Sequence, residues 1–132
     1  MGWKTLTTLS RRQSEFRYSG CVGDGVVLDQ SGNPRIDAAF FTAALQHFSG
    51  QTVTGGFRED DPPAGGFGEW VAEKSAGLNS RKLSARHGSF MAAILCHEAS
   101  VKSWMDGNAL KLHFPHALRV AAKKAAHGIN RT

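Results

Sequence analysis

An α+β fold is what this sequence predicts, and three observations predict it. Apolar residues recur at three and four across 34–48 and again across 85–105, the stripe of a helix that packs on one side. Phe16, Tyr18 and Val22 follow a two-residue alternation towards Asp24-Gly25, a strong hairpin turn signal. Helix and strand signals do not alternate regularly enough for a doubly wound parallel sheet. The expectation is a single domain, 1–132, with about four helices (34–48, 69–76, 85–105, 115–127). They should pack with a small, mostly antiparallel sheet of three or four short strands.

Each element has its own warrant. The strands around Gly23-Asp24-Gly25 pair because both central turn residues tolerate positive φ. Asn33 reads as an N-cap and Pro34 as the first helical residue. Ile36, Phe40, Phe41, Ala44, Leu45 and Phe48 then form the stripe, and Gly50 stops it. Almost no charge follows Asp37, so this helix is expected at the centre of the core. From 55 to 68 the chain is Gly- and Pro-rich with an acidic tip, Glu59-Asp60-Asp61. Two glycine pairs, Gly55-Gly56 and Gly65-Gly66, are expected to flex around a stiff Pro62-Pro63 tip, as in a lid. A short helix at 69–76 ends at Gly77, and Ser84 caps a long one at 85–105. Asp106-Gly107-Asn108 closes that helix. Leu110, Leu112 and Phe114 alternate as an edge-type strand. Pro115 opens a last helix.

Composition narrows the class of protein. Eight Phe and three Trp supply a core and argue against disorder. No signal-peptide pattern follows Lys4, and no apolar run spans a bilayer, so a cytoplasmic protein with no membrane contact is expected. Cys21 and Cys96 lack CxxC partners and are expected as small buried thiols. Net charge is +5 but uneven: residues 1–17 carry +3, residues 18–80 carry −5 and residues 81–132 carry +7. Such asymmetry suits a polyanionic partner. Mutual neutralisation within one fold explains it equally.

Two basic groups stand out. His116, Arg119, Lys123 and His127 share one face of the expected last helix, with Lys124 beside them. Such a stripe can track phosphates, although a helix C-terminus favours cations without any partner. Arg81, Lys82, Arg86 and His87 surround the start of the long helix, where the macrodipole opposes them. An anion bound by free amides there would offset that cost. A helix-turn-helix formed by 69–76 and 85–105 has too long a connection to match the motif well.

Other patterns are weaker. Cys96-His97-Glu98 cannot converge on one helix, and His97 is expected to pack in the core. The acidic tip matches no calcium loop. No metal, no cofactor and no catalytic motif is expected, for want of a P-loop, a dinucleotide fingerprint or a nucleophile elbow.

Three functions compete. The favoured one is binding of nucleic acid or another polyanion, such as an acidic protein, through the basic C-terminal part and Arg11-Arg12. The second is a protein-interaction module or homo-oligomer, with Trp3, Trp70, Phe57 and Phe67 as anchors. The third is a small-ligand binder or enzyme with a pocket under the 55–68 loop. There Phe57, Arg58, Glu59, Phe67 and Trp70 would line or gate the site, Arg58 and Arg86 would hold an anion, and Glu59 or His87 would move a proton.

Overall fold

Alternating side chains start the first sheet. Phe16 and Tyr18 are buried while Glu15 and Arg17 are exposed, the two-sided pattern of β2 (Glu15–Cys21). The computed structural model describes residues 2–9 and 13–116. In it β2 pairs with β1 (Lys4–Thr7) and, through the turn 22–24, with β3 (Gly25–Leu28). This is the hairpin the sequence predicts. Gly20 (φ +94°) is obligatory here, because a Cβ would meet the Gly25 carbonyl oxygen at 2.3 Å. The strand β4 (Arg35–Ile36) completes an antiparallel sheet in the order β1-β2-β3-β4.

That short strand corrects the start of the first helix. Asn33 is a turn residue (φ +44°), not a cap, and the Pro34 carbonyl accepts the Leu28 amide. Arg35 and Ile36 are held extended by Val27 and Val26. Asp37 takes the extended N-cap geometry instead, and α1 runs Ala38–His47. Gly50 (φ +72°) ends the turn beyond it, as expected.

The second sheet contains β5 (Thr52–Thr54), β7 (Ala109–His113) and β6 (Lys102–Asp106), in the order β5-β7-β6. Between β5 and β6 lie α2 (Phe67–Leu78) and α3 (His87–Glu98). The expected helix 85–105 therefore ends at Glu98. Ser100 breaks it with a φ of +62°, and residues 102–106 form a hairpin strand with β7. Val101, Trp104 and Met105 kept helical spacing by coincidence, while Asp106-Gly107-Asn108 was a hairpin turn rather than a helix stop. The described residues thus hold three helices and seven strands in two sheets, against about four helices and one sheet expected. Pro115 and His116 are non-helical, and the rest of the expected 115–127 helix lies outside the described residues, as do Arg11 and Arg12.

One core joins both sheets. α3 is its centre, since every residue from Phe90 to Leu95 is buried. That central place was expected for the helix at 34–48. α2 packs on both α1 and α3, α1 packs on β3, and α3 packs on β1. Phe48, Phe67, Trp70 and Phe114 form an aromatic cluster with ring centroids 5.1–6.3 Å apart. No helix among the described residues is long and apolar enough to cross a membrane.

Candidate functional site

The connection between α2 and α3 has no regular structure, yet side chains fix it at nearly every step. Buried Asn79 accepts the Asp37 amide through Oδ1 (2.7 Å) and donates through Nδ2 to the carbonyls of Arg35 (2.8 Å) and Arg81 (2.9 Å). The Asp37 carboxylate accepts from the amide and hydroxyl of Ser80. Buried Ser75 accepts the Leu83 amide (2.7 Å) and donates to the Leu83 carbonyl (3.2 Å). Sequence reasoning missed this clasp. Its one visible signal was a run of Asn and Ser, residue types that bond nearby backbone.

The clasp sets out Arg81, Lys82 and Arg86 as exposed cations. Arg81 Nη1 donates to the Gly32 carbonyl (3.3 Å), which holds it against the 30–33 turn. Lys82 and Arg86 make no side-chain hydrogen bond or ion pair among the described residues. The ion pairs found there are Lys4–Glu98, Arg17–Asp29 and Arg35–Asp37. Lys82, Glu59 and His87 line one depression of about 380 Å³, floored by Ala72 and the Leu83–Ala85 segment.

His87 closes the start of α3. Its Nδ1 accepts the Ser84 amide (3.0 Å), and the Ser84 hydroxyl stands 3.2 Å from the same nitrogen. This is the return half of a capping box, with a histidine in the place of the usual Glu. It corrects the expected cap, in which the Ser84 hydroxyl accepts an amide of the first turn. Because Nδ1 accepts a backbone N–H, the ring is neutral with its proton on Nε2. Burial pushes the His87 pKa below the ordinary value, the charges of Arg81 and Arg86 push it further, and Glu59 opposes them. The Ser84–His87 contact therefore belongs to the start of the helix.

The expected anion cradle of free amides does not extend into the helix beyond its first residues. The amides of His87, Gly88 and Ser89 donate to the carbonyls of Ser84, Ala85 and Arg86.

The 55–68 segment is a packed connection at both ends. The Gly55 amide donates to the Leu110 carbonyl (2.9 Å), and the Gly55 carbonyl accepts from Gly68 (2.7 Å). Of the expected hinges, Gly55 is tied to β7 and Gly66 donates to the Pro63 carbonyl (3.2 Å), while residues 58–61 and 63–65 are exposed. Phe57 is half-buried, its ring 3.3 Å from where a Cβ on Gly88 would stand. Phe67 is wholly buried, and Trp70 stacks between Phe40 (5.0 Å) and His47 (5.5 Å). Phe67 and Trp70 are core residues and Phe57 packs against the core, while Trp70 also lines a depression of about 530 Å³ with His47, Glu73 and Lys74, on the α1–α2 side and away from the loop. Arg58 and Arg86 do not line the depression; Glu59 does.

Other candidates separate. His116 is exposed, its ring lying over Gly50, while Arg119, Lys123 and Lys124 are outside the described residues. His97 is exposed instead of packed, and Cys21 and Cys96 are free, half-buried thiols. Glu98 proves to be the hub of a second polar group. It accepts from the buried Tyr18 hydroxyl and from the Val22 amide (2.9 Å), with Lys4 Nζ at 3.8 Å. A carboxylate in the last turn of a helix opposes the macrodipole, and that was the overlooked signal.

Comparison with known proteins returned no matching family, no similar curated sequence and no similar solved structure.

Proposed function

We propose that this protein binds a polyanion, nucleic acid in the first instance, through the basic rim Arg81, Lys82 and Arg86. One observation carries the reading. These three exposed cations surround a neutral histidine, and no carboxylate pairs with any of them among the described residues. Lys4, Arg17 and Arg35 each have an acidic partner, and of the described cations without one, only Arg81, Lys82 and Arg86 stand together on one short connection. Unpaired cations held by a fixed backbone lose little freedom when they meet phosphate. Glu59 repels an anion from the depression itself, so the phosphates run along the rim. The basic excess of residues 81–132 adds attraction at longer range.

The test is binding of short duplex DNA and of RNA against salt. Each phosphate contact contributes a log–log slope of about 0.9 on B-DNA. Lys82→Ala with Arg86→Ala spares the Arg81–Gly32 tether. It should weaken binding to all sequences alike and flatten the slope by roughly 2. Absence of binding at about 50 mM salt overturns the reading.

A further inference from the structure

Among the described residues β6 forms the outer edge of the second sheet, and all five of its residues are exposed. Trp104 keeps 45% of its surface in solvent and Met105 keeps 40%. Natural edges of this length are usually bulged, interrupted by Pro, charged or covered, and of these devices β6 carries only charge, one residue of each sign at its two ends. Here the register with β7 runs unbroken from Lys102–His113 to Asp106–Ala109.

That register defines two faces. Ser103 and Met105 stand opposite Leu112 and Leu110, on the core side. Lys102, Trp104 and Asp106 stand opposite His113, Lys111 and Ala109, on the outer side. The turn defines which backbone groups are free. Asp106 and Ala109 flank the two-residue turn Gly107-Asn108, where only Gly107 has positive φ (+63°), the II′ pattern. The pair flanking such a turn exchanges both hydrogen bonds, and bonded and non-bonded pairs alternate from there. Ser103 and Met105 therefore turn their N–H and C=O groups outward.

We propose that β6 pairs antiparallel with β6 of a second copy about a twofold axis at Trp104, fusing two three-stranded sheets into one of six. Self-pairing must set outward groups opposite outward groups, which allows centres at Ser103, Trp104 or Met105. Charge decides among the three. Centred on Trp104, Lys102 of each copy faces Asp106 of the other, and the two indoles meet in the middle. Centred on Ser103, Lys102 faces Trp104; centred on Met105, Asp106 faces Trp104. Opposite charges and aromatic pairs directly across strands are the favourable combinations. Lys102 and Asp106 have no ion pair within their own chain among the described residues, so both charges are available. The interface is isologous and closes at two copies. Its small area places it with transient associations.

Sedimentation equilibrium of the full chain tests this. The mass should rise from 14.2 kDa towards twice that value with concentration. Lys102→Glu alone, or Asp106→Lys alone, sets like charges opposite each other at both ends and should raise the dissociation constant about tenfold. The two together should restore it to within a fewfold, a rescue that non-specific adhesion would not give. Met105→Pro removes an outward N–H that β7 does not use, so it should abolish the dimer and keep the far-UV spectrum. A monomer at about 1 mM, an assembly larger than a dimer, indifference to either single reversal, failure of the rescue, or a dimer that survives the proline would each overturn the proposal.

Discussion

Replacing Gly68 by Ala tests how tightly the 55–68 segment is locked. A Cβ at this position would lie 2.0 Å from the Gly56 carbonyl oxygen and 3.2 Å from the Ala85 side chain. The first atom is backbone, so no rotamer relieves the contact. α2 must draw back by more than an ångström, and the Gly68–Gly55 hydrogen bond (2.7 Å) is lost. Overpacking costs about 1–3 kcal/mol, and a contact this short belongs at the top of that range. The lost bond adds about 1 kcal/mol, and the better helix propensity of Ala returns about 1 kcal/mol. The net cost is about 3 kcal/mol. Gly77 is the control within the same helix. It is exposed, and nothing stands within 4 Å of its added Cβ. Gly77→Ala should therefore stabilise by about 0.5–1 kcal/mol. Urea unfolding of both variants, with unchanged m-values, measures the difference. If Gly68→Ala lies within about 1 kcal/mol of the wild type, the close approach of loop and helix is not as described.

Two further outcomes follow from the polar groups. Glu98→Ala strands the buried Tyr18 hydroxyl and the Val22 amide and should cost about 2–4 kcal/mol in urea unfolding, part of which Tyr18→Phe in the same background should restore; additive losses would refute the link. His87 has a folded pKa below its unfolded one, so the unfolded chain takes up the proton first as pH falls. Its contribution is complete above about pH 6.5 and is lost as pH drops towards the folded value. The wild type should accordingly lose more stability than His87→Gln between about pH 7.5 and about pH 5.5, and equal losses would remove His87 from the account.

What the sequence revealed was local. The β2–β3 hairpin could be read because alternation and an Asp-Gly turn agree, and both are short-range signals. The apolar stripe of α1 could be read too, but its start could not, because Asn33 and Asp37 are both N-cap residue types, and it is Asp37, without a following proline, that makes the cap. Beyond Glu98, helical spacing continued by accident through Val101, Trp104 and Met105. The break came at Ser100, a non-glycine residue at positive φ that no pattern announces. At the site, the exposure of Arg81, Lys82 and Arg86 was legible from charge alone. Who uses the amides of α3 was not, since that depends on backbone bonds that close only when the preceding turn forms. The burial of Phe67 was not legible either, since it sits between Gly66 and Gly68 in sequence and inside the core in space.

The rigidity of the 79–87 connection bears on what its charges can do. A loop of this length without helix or strand would ordinarily sample many conformations, and each cation it carries would lose that freedom on binding. Here Asn79, Ser80, Arg81, Leu83 and Ser84 are each tied by at least one side-chain hydrogen bond to β4, Asp37, the 30–33 turn, α2 or α3. The clasp begins on α2 and ends on α3, whose packing is itself fixed by the approach of Gly68 to Gly88. Lys82 and Arg86 are thus mobile only in their own side chains, on a backbone that is already ordered. If the rim meets phosphates as proposed, a regularly spaced anion fits it better than a diffuse one, because spacing between fixed points is what it presents. A change that loosens the clasp without touching a charge, such as Asn79→Ala, separates positioning from electrostatics. It leaves the net charge at +5 while releasing the loop.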